Sequence, residues 1–195
     1  MKSIFFCLLL ISGTAAAQKT YKDSMQQYQA SYVAHHEVVK ENDKKAIQFF
    51  PVQQRFRVIA TVEKKENSPW FTMASSGPIK NMYRVYAVAH FNIGDTTVAL
   101  HLYQSQSLMQ TEHYRDHLFI PFTDATSGQE TYYGGRYMDV NTSDIQQGRI
   151  VLDFNKAYNP YCVYVSGVYS CPIPPKENHL PVAIKAGEKD FAPAH

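Results

Sequence analysis

Three cysteines, one tryptophan and nine glycines are all that the 195 residues hold of those types, and charge is nearly balanced, with 19 Lys and Arg against 17 Asp and Glu. Each scarcity excludes something. The balance leaves no basic surface of the kind that nucleic acid or an anionic membrane requires. No C-x2-C or C-x-x-C pair exists, so a structural zinc or a dithiol redox centre has no framework. Neither G-x-G-x-x-G nor G-x-x-x-x-G-K-[ST] occurs, and there is no G-x-S-x-G elbow, H-E-x-x-H helix or Ser-His-Asp order. The longest apolar run, Ile4 to Ile11, falls far short of the roughly 20 residues that span a bilayer. No internal repeat is visible, and nothing implies a cofactor or a metal.

What is there begins with a leader. Lys2 gives a positive start, Ile4 to Ile11 an apolar centre, and Ala15-Ala16-Ala17 a small-residue cleavage site. Cys7 lies inside the apolar run and not after a lipobox, so lipidation has no residue to start from. The expectation is a signal peptide over residues 1–17, cleaved after Ala17, and a mature protein in the periplasm or secreted, with no integral membrane segment once the leader is gone. The mature chain keeps 18 of the 19 basic residues, because Lys2 leaves with the leader, against 17 acidic ones. About 178 residues remain, the length of one domain with a real core.

Residues 18–45 read as a helical segment, with Tyr21, Met25, Tyr28 and Tyr32 spaced four, three and four apart as a stripe against a sheet. The period then becomes two. Phe56, Val58, Ala60 and Val62 alternate with Arg55, Arg57, Thr61 and Glu63, the pattern of a half-buried strand. Met82 to Ile93 and Thr96 to Gln104 form a hairpin across Gly94-Asp95, a Gly-first loop suited to a type II′ turn. Pairing Ile93 with Thr96 puts Ala87, Ala89, Phe91, Val98, Leu100 and Leu102 on one apolar face. The other face carries Tyr86, Val88, His90, Ala99, His101 and Tyr103, with His90 and His101 roughly 7–8 Å apart as diagonal neighbours. A polar-aromatic pocket lining and a plain solvated face are both open there, and a metal lacks a third ligand. Further strands are expected at His117 to Phe122, Arg136 to Val140 and Ile150 to Asp153. The fold class is mainly β: an antiparallel β-barrel or β-sandwich with an N-terminal helix and a long irregular Pro-rich C-terminal segment.

That segment, residues 153–189, holds Pro160, Pro172, Pro174, Pro175 and Pro181, which exclude a helix and disfavour a central strand. It also holds Cys162 and Cys171. A disulfide closing that short loop is the favoured reading, with a free nucleophilic thiol at Cys162 and two reduced, buried cysteines as alternatives. Around them stand Asp153, Asn155, Asn159, Glu177 and Asn178, with Arg136 and Tyr137 arriving from the Gly134-Gly135 loop. Two explanations compete: these side chains satisfy the backbone of an irregular tail, Arg136 pairing with Asp153 or Glu177, or Arg136 binds an anionic ligand while Asp153 or Glu177 handles a proton.

The wording LFIPFTDATSGQETYYGGRYMD, then DFNKAYNPYC, then CPIPPKENHLPVAIKAGEK resembles the uncharacterised bacterial family catalogued as domain of unknown function 1684, in its short secreted form found in Bacteroidetes-like bacteria. The resemblance covers nearly all of the mature chain, departs from the family's usual wording around His35 to Ala46, and implies no activity, cofactor or catalytic residue. The leading expectation is therefore a periplasmic small-ligand or partner-binding β-barrel domain, with its pocket between the His90 and His101 face and the Gly135–Asp153–Glu177 region. The alternatives are a cell-envelope hydrolase or transferase using Arg136, Asp153 and Glu177, and a structural envelope protein without a pocket.

Overall fold

The computed structural model describes the backbone of residues 9–192 and the side chains of residues 20–192. Met1 to Leu8, with the charged start of the expected leader, much of its apolar run and Cys7, lie outside the described residues. Helix α1 spans Leu9–Ala34, so the expected cleavage point after Ala17 falls within it. No described helix is long and apolar enough to cross a membrane. The last turn of α1 tightens, His35 N–H donating to Ser31 O at 3.0 Å and His36 N–H to Val33 O at 3.3 Å, which satisfies carbonyls that a helix end otherwise leaves open. The Tyr21, Met25, Tyr28 and Tyr32 stripe is its protein-facing side: Met25 is buried and the three tyrosines are half-buried.

Eight strands follow among the described residues: β1 Arg57–Lys64, β2 Phe71–Thr72, β3 Met82–Ile93, β4 Thr96–Ser105, β5 His117–Asp124, β6 Arg136–Asn141, β7 Arg149–Asp153 and β8 His179–Leu180. They form one sheet in the order β6-β5-β4-β3-β1-β7, with β2 beside β3 and β8 parallel to β5. The main path is antiparallel and curls into a half-barrel around one core. Its end strands β6 and β7 do not pair with each other, so the barrel is not closed, and no second sheet makes a sandwich among the described residues. The free edge of β6 is occupied instead by the tail, where Tyr137 and Tyr158 exchange both backbone hydrogen bonds at 2.9 and 3.0 Å.

Alternation explains the core. Phe56, Ala60, Ala87, Ala89, Phe91, Leu100, Leu102, Ile150, Leu152 and Phe154 all point into the curl and are buried, each large side chain contributing roughly 1.5–3 kcal/mol. The hairpin keeps its expected register, Ile93 opposite Thr96, and Gly94 takes φ +57°, a conformation glycine adopts without penalty. One detail departs from strict alternation. The β3–β4 register slips between Val85 and Ala87, and this bulge turns Tyr83 and Val85 outward while Tyr86 packs against the inner core. Tyr86 therefore leaves the face on which alternation put it with His90 and His101, because an extra residue in one strand reverses every side chain beyond it.

The reversed side chains found a second, outer cluster of Met73, Tyr83, Tyr103, Phe119 and Tyr137. The C-terminal segment lies over it. From Phe154 this segment passes through short 3-10 turns at Phe154–Lys156, Tyr161–Val163 and Lys176–Asn178, and it is tied to residues 74–76 by Ser76 N–H to Cys171 O at 2.9 Å and Ile173 N–H to Ala74 O at 2.8 Å.

Candidate functional site

The residues that cluster in the sequence are dispersed in space. Arg136 is fully buried, and its guanidinium donates to Asp124 Oδ2 at 2.8 Å, to Ile184 O at 2.9 Å, to Glu188 O at 3.1 Å and to Ala186 O. Asp124 Oδ1 in turn accepts from the Thr126 N–H and hydroxyl at 2.8 and 2.6 Å and from Ile184 N–H at 3.1 Å. The partner of Arg136 is thus Asp124, and neither Asp153 nor Glu177. Burial bears against its charge, which Asp124 chiefly offsets. A guanidinium enclosed by one carboxylate and three carbonyls stitches the tail to the sheet; it does not face a ligand. Gly135 makes that insertion possible: at φ +88°, a Cβ there would stand 2.4 Å from Phe122 O.

Asp153 sits at the other end of the curl, where both its carboxylate oxygens accept from the Tyr21 hydroxyl at 2.9 Å. Asn155 joins them, donating to Tyr21 Oη at 3.0 Å and exchanging bonds with the Gln53 backbone at 2.9 Å each way. Burial first, then the Asp153 carboxylate, pushes the Tyr21 hydroxyl well above its ordinary pKa. Asn178 binds the backbone of His101 and Pro121, while Glu177 beside it is exposed. His90 is exposed and pairs with Glu63 at 3.4 Å. Burial lowers the pKa of His101, opposed by the charge of Glu177. Neither histidine lines the two cavities described below, so neither of these is the expected pocket between that face and the Gly135–Asp153–Glu177 region.

Cys162 and Cys171 form a disulfide, Sγ to Sγ 2.03 Å. It closes the loop that carries Tyr164 and Tyr169. Tyr164 donates to the fully buried Glu188, which also accepts from Asn159 N–H at 2.9 Å and from Tyr32 at 3.3 Å. Burial raises the Glu188 carboxyl above the usual carboxylate range despite those donors. The approach of the segment bearing Glu188 to the Phe154–Lys156 turn requires Gly187, at φ +74°, where a Cβ would meet Phe154 O and Ala157 O at 2.6 Å.

Disulfide loop, outer sheet face and the end of α1 together line an open cavity of about 760 Å³. Eight tyrosines and Phe119 line it, with His36, His117 and Asp139 among the polar groups. Its rings are locked edge to face: His36 on Tyr164 at 4.5 Å between centroids, Phe119 on Tyr137 at 4.7 Å. Such contacts fix aromatic side chains beyond what area alone does. Asp139 accepts from Tyr158 Oη at 2.6 Å and from His117 Nε2 at 2.8 Å. A carboxylate cannot donate, so His117 carries its proton on Nε2, and its buried Nδ1, without a partner, is an acceptor in the neutral ring. His36 is the mirror case. Its Nδ1 accepts from Val39 N–H at 3.1 Å, its Nε2 is a buried donor without a partner, and burial foremost lowers its pKa, favouring the neutral form. A second cavity, of about 640 Å³, lies between the unpaired strands β6 and β7 and is lined by charged side chains including Arg57, Arg149, Asp144 and Lys156.

Of the residues expected to form a site, Tyr137 lines the aromatic cavity and Asp153 the charged one; Arg136, Asn155, Asn159 and Asn178 hold backbone. Sequence reasoning missed His36, His117 and Asp139, which come from the end of α1, from β5 and from β6. The available signal was composition: the chain has 14 tyrosines, and eight of them converge here.

The family model described as "Protein of unknown function (DUF1684)" matches residues 42–189. Among solved structures, the chain is similar to the uncharacterized protein from gene locus rrnAC0354 of Haloarcula marismortui, an NMR structure, with 28% identity over 89% of this chain and 96% of that one and a TM-score of 0.65. No curated protein matches.

Proposed function

The chain belongs to the DUF1684 family of proteins of unknown function, and from that premise we propose that it is a small-molecule-binding domain whose ligand occupies the tyrosine-lined cavity. One observation carries the reading. Of four buried side-chain polar atoms without a hydrogen-bond partner among the described residues, two, His36 Nε2 and His117 Nδ1, belong to residues lining this one cavity. A buried polar atom left unpaired costs roughly 1–3 kcal/mol, and a ligand bringing one acceptor and one donor would recover it. Volume and chemistry also fit, since small-ligand sites are mostly apolar, hold a few fixed polar groups and run to several hundred Å³. The C-terminal segment serves as a disulfide-stapled cover. The leader and the disulfide favour an oxidising compartment, the periplasm or the exterior, as its place of work.

The test is a thermal-shift screen of neutral, anionic and cationic aromatic compounds on the mature chain beginning at Gln18. Saturable stabilisation that His36→Phe weakens supports the reading, because phenylalanine keeps an aromatic ring and removes the Nε2–H, while the loss of the Val39 N–H bond to Nδ1 is common to the free and the liganded protein. Stabilisation equal in both proteins, or none with any compound, counts against it.

A catalytic reading of the same cavity draws on the His117–Asp139 pair, since a carboxylate-oriented imidazole with a free nitrogen is the geometry of a general base. It replaces the Arg136, Asp153 and Glu177 grouping, whose members lie apart. Turnover abolished by His117→Phe, with ligand binding retained, would favour it over binding alone.

A further inference from the structure

The charge of the aromatic cavity narrows the class of its ligand, on the reading that the cavity is the binding site. Its lining includes the carboxylates of Glu37 and Asp139 and no Lys or Arg. Two lysines are nearby: Lys44 turns elsewhere, its ammonium donating to Ala34 O at 2.7 Å and to Glu41 at 2.6 Å, and Lys156 lies over the Tyr28 ring at 5.4 Å but lines the neighbouring cavity, which shares Tyr28 and Asp139 with this one. The tyrosine faces add the negative side of their ring quadrupoles, which attract a cation within about 6 Å of a ring centroid. An anionic ligand would find acidic groups and no Lys or Arg in the lining.

We propose that the cavity takes a small protonated amine with an aromatic body and an oxygen at its far end. The ammonium lies against the tyrosine faces near Asp139 and donates one N–H to His117 Nδ1, the acceptor that lacks a partner. The distal oxygen accepts from His36 Nε2–H, the donor that lacks one. Both orphaned atoms are thereby satisfied by a single molecule, and Glu37 and Asp139 gain a positive charge that the cavity lining lacks.

Three probes with one body and different head groups test this at pH 7: tyramine, its alcohol analogue tyrosol, and 4-hydroxyphenylacetate, each titrated by calorimetry into the mature chain. Tyramine is expected to bind roughly tenfold or more tighter than tyrosol, with 4-hydroxyphenylacetate weakest. Glu37→Gln and Asp139→Asn should each narrow the gap between amine and alcohol while leaving tyrosol binding in place. Glu37 is exposed, so its variant reports on charge even if Asp139→Asn perturbs folding. Equal affinity for amine and alcohol, or a tighter carboxylate, with His36→Phe still weakening all three, overturns the amine assignment and keeps the cavity as a ligand site. Binding of none of the three, in a protein that the neutral and anionic screen also leaves unshifted, overturns both.

Discussion

Asn178 pairs with His101 as a neighbouring strand would: its Oδ1 accepts the His101 N–H at 2.8 Å and its Nδ2 donates to the His101 carbonyl at 3.0 Å, with a second donation to Pro121 O at 2.8 Å. The need arises from the sequence of β5. Pro121 has no N–H, and β4 and β5 share a single aligned pair, Tyr103 with Phe119, before the ladder parts. A side-chain amide carries both a donor and an acceptor and fills the break. Asn178→Leu should therefore destabilise the protein by about 2–4 kcal/mol, since it strands buried backbone groups on both strands. Asn178→Asp should cost at least as much, because a carboxylate would face two carbonyls. Urea unfolding of the two variants checks this; a loss within experimental error of zero would mean that the strands close up without the amide.

Gly135 and Gly148 differ in what surrounds a positive φ. Both are in the left-handed region, at +88° and +71°, but a Cβ at Gly135 meets Phe122 O at 2.4 Å, while at Gly148 nothing lies within 4 Å. Gly148→Ala should cost only the conformational term, about 1 kcal/mol. Gly135→Ala must also displace β5 backbone and disturb the adjoining Arg136, and should cost about 3 kcal/mol or more or prevent folding. Comparable losses in the two variants would show that the contact at Gly135 yields easily.

Removing the Cys162–Cys171 bond by a double Ser substitution should lower stability by about 2.5–3 kcal/mol, the entropy of opening a short loop in the unfolded chain. The same loop carries Tyr164 and Tyr169, and Tyr169 lines the aromatic cavity, so ligand affinity should fall as well. Equilibrium unfolding with and without reductant measures the first effect, and titration of a bound probe the second.

Much of the half-barrel was legible in the sequence because its strands bury one face: Phe56, Val58 and Ala60, or Ile150, Leu152 and Phe154, announce their direction by alternation alone. Gly94-Asp95 set the hairpin register for a local steric reason. The bulge before Ala87 was not legible, since no residue there compels it; it answers to the outer cluster that Tyr83 and Val85 join. The candidate site was hidden for a different reason. Proximity in the chain made Arg136, Asp153 and Glu177 look like a group, yet Arg136 binds the carbonyls of Ile184, Ala186 and Glu188, Asp153 accepts from Tyr21 and the Asn155 N–H, and Glu177 is exposed. His36, His117 and Asp139 stand far apart in sequence, and topology alone brings them to one cavity.

Glu188 gives the stability of this protein a pH dependence whose sign can be worked out. Burial, the largest effect on it, raises its pKa, outweighing the hydrogen bonds from Tyr164, Asn159 and Tyr32 that favour the carboxylate. In the unfolded chain the group releases its proton near the ordinary value of about 4.3. Between that pH and the raised folded value, the native state holds a proton that the unfolded state has lost. Unfolding free energy from this group therefore decreases as pH rises through the window. Glu188→Gln removes the titration while keeping the side chain's size, so the other carboxylates cancel in the comparison. The stability of the parent relative to Glu188→Gln should be greatest at the acid end of the window and shrink as pH rises, until the folded carboxyl is ionised and the difference levels. Denaturant unfolding of both proteins from pH 4 to 8 measures that difference. A difference that instead grows with pH would mean that the donors to Glu188 outweigh its burial, and that the buried group is held as a carboxylate.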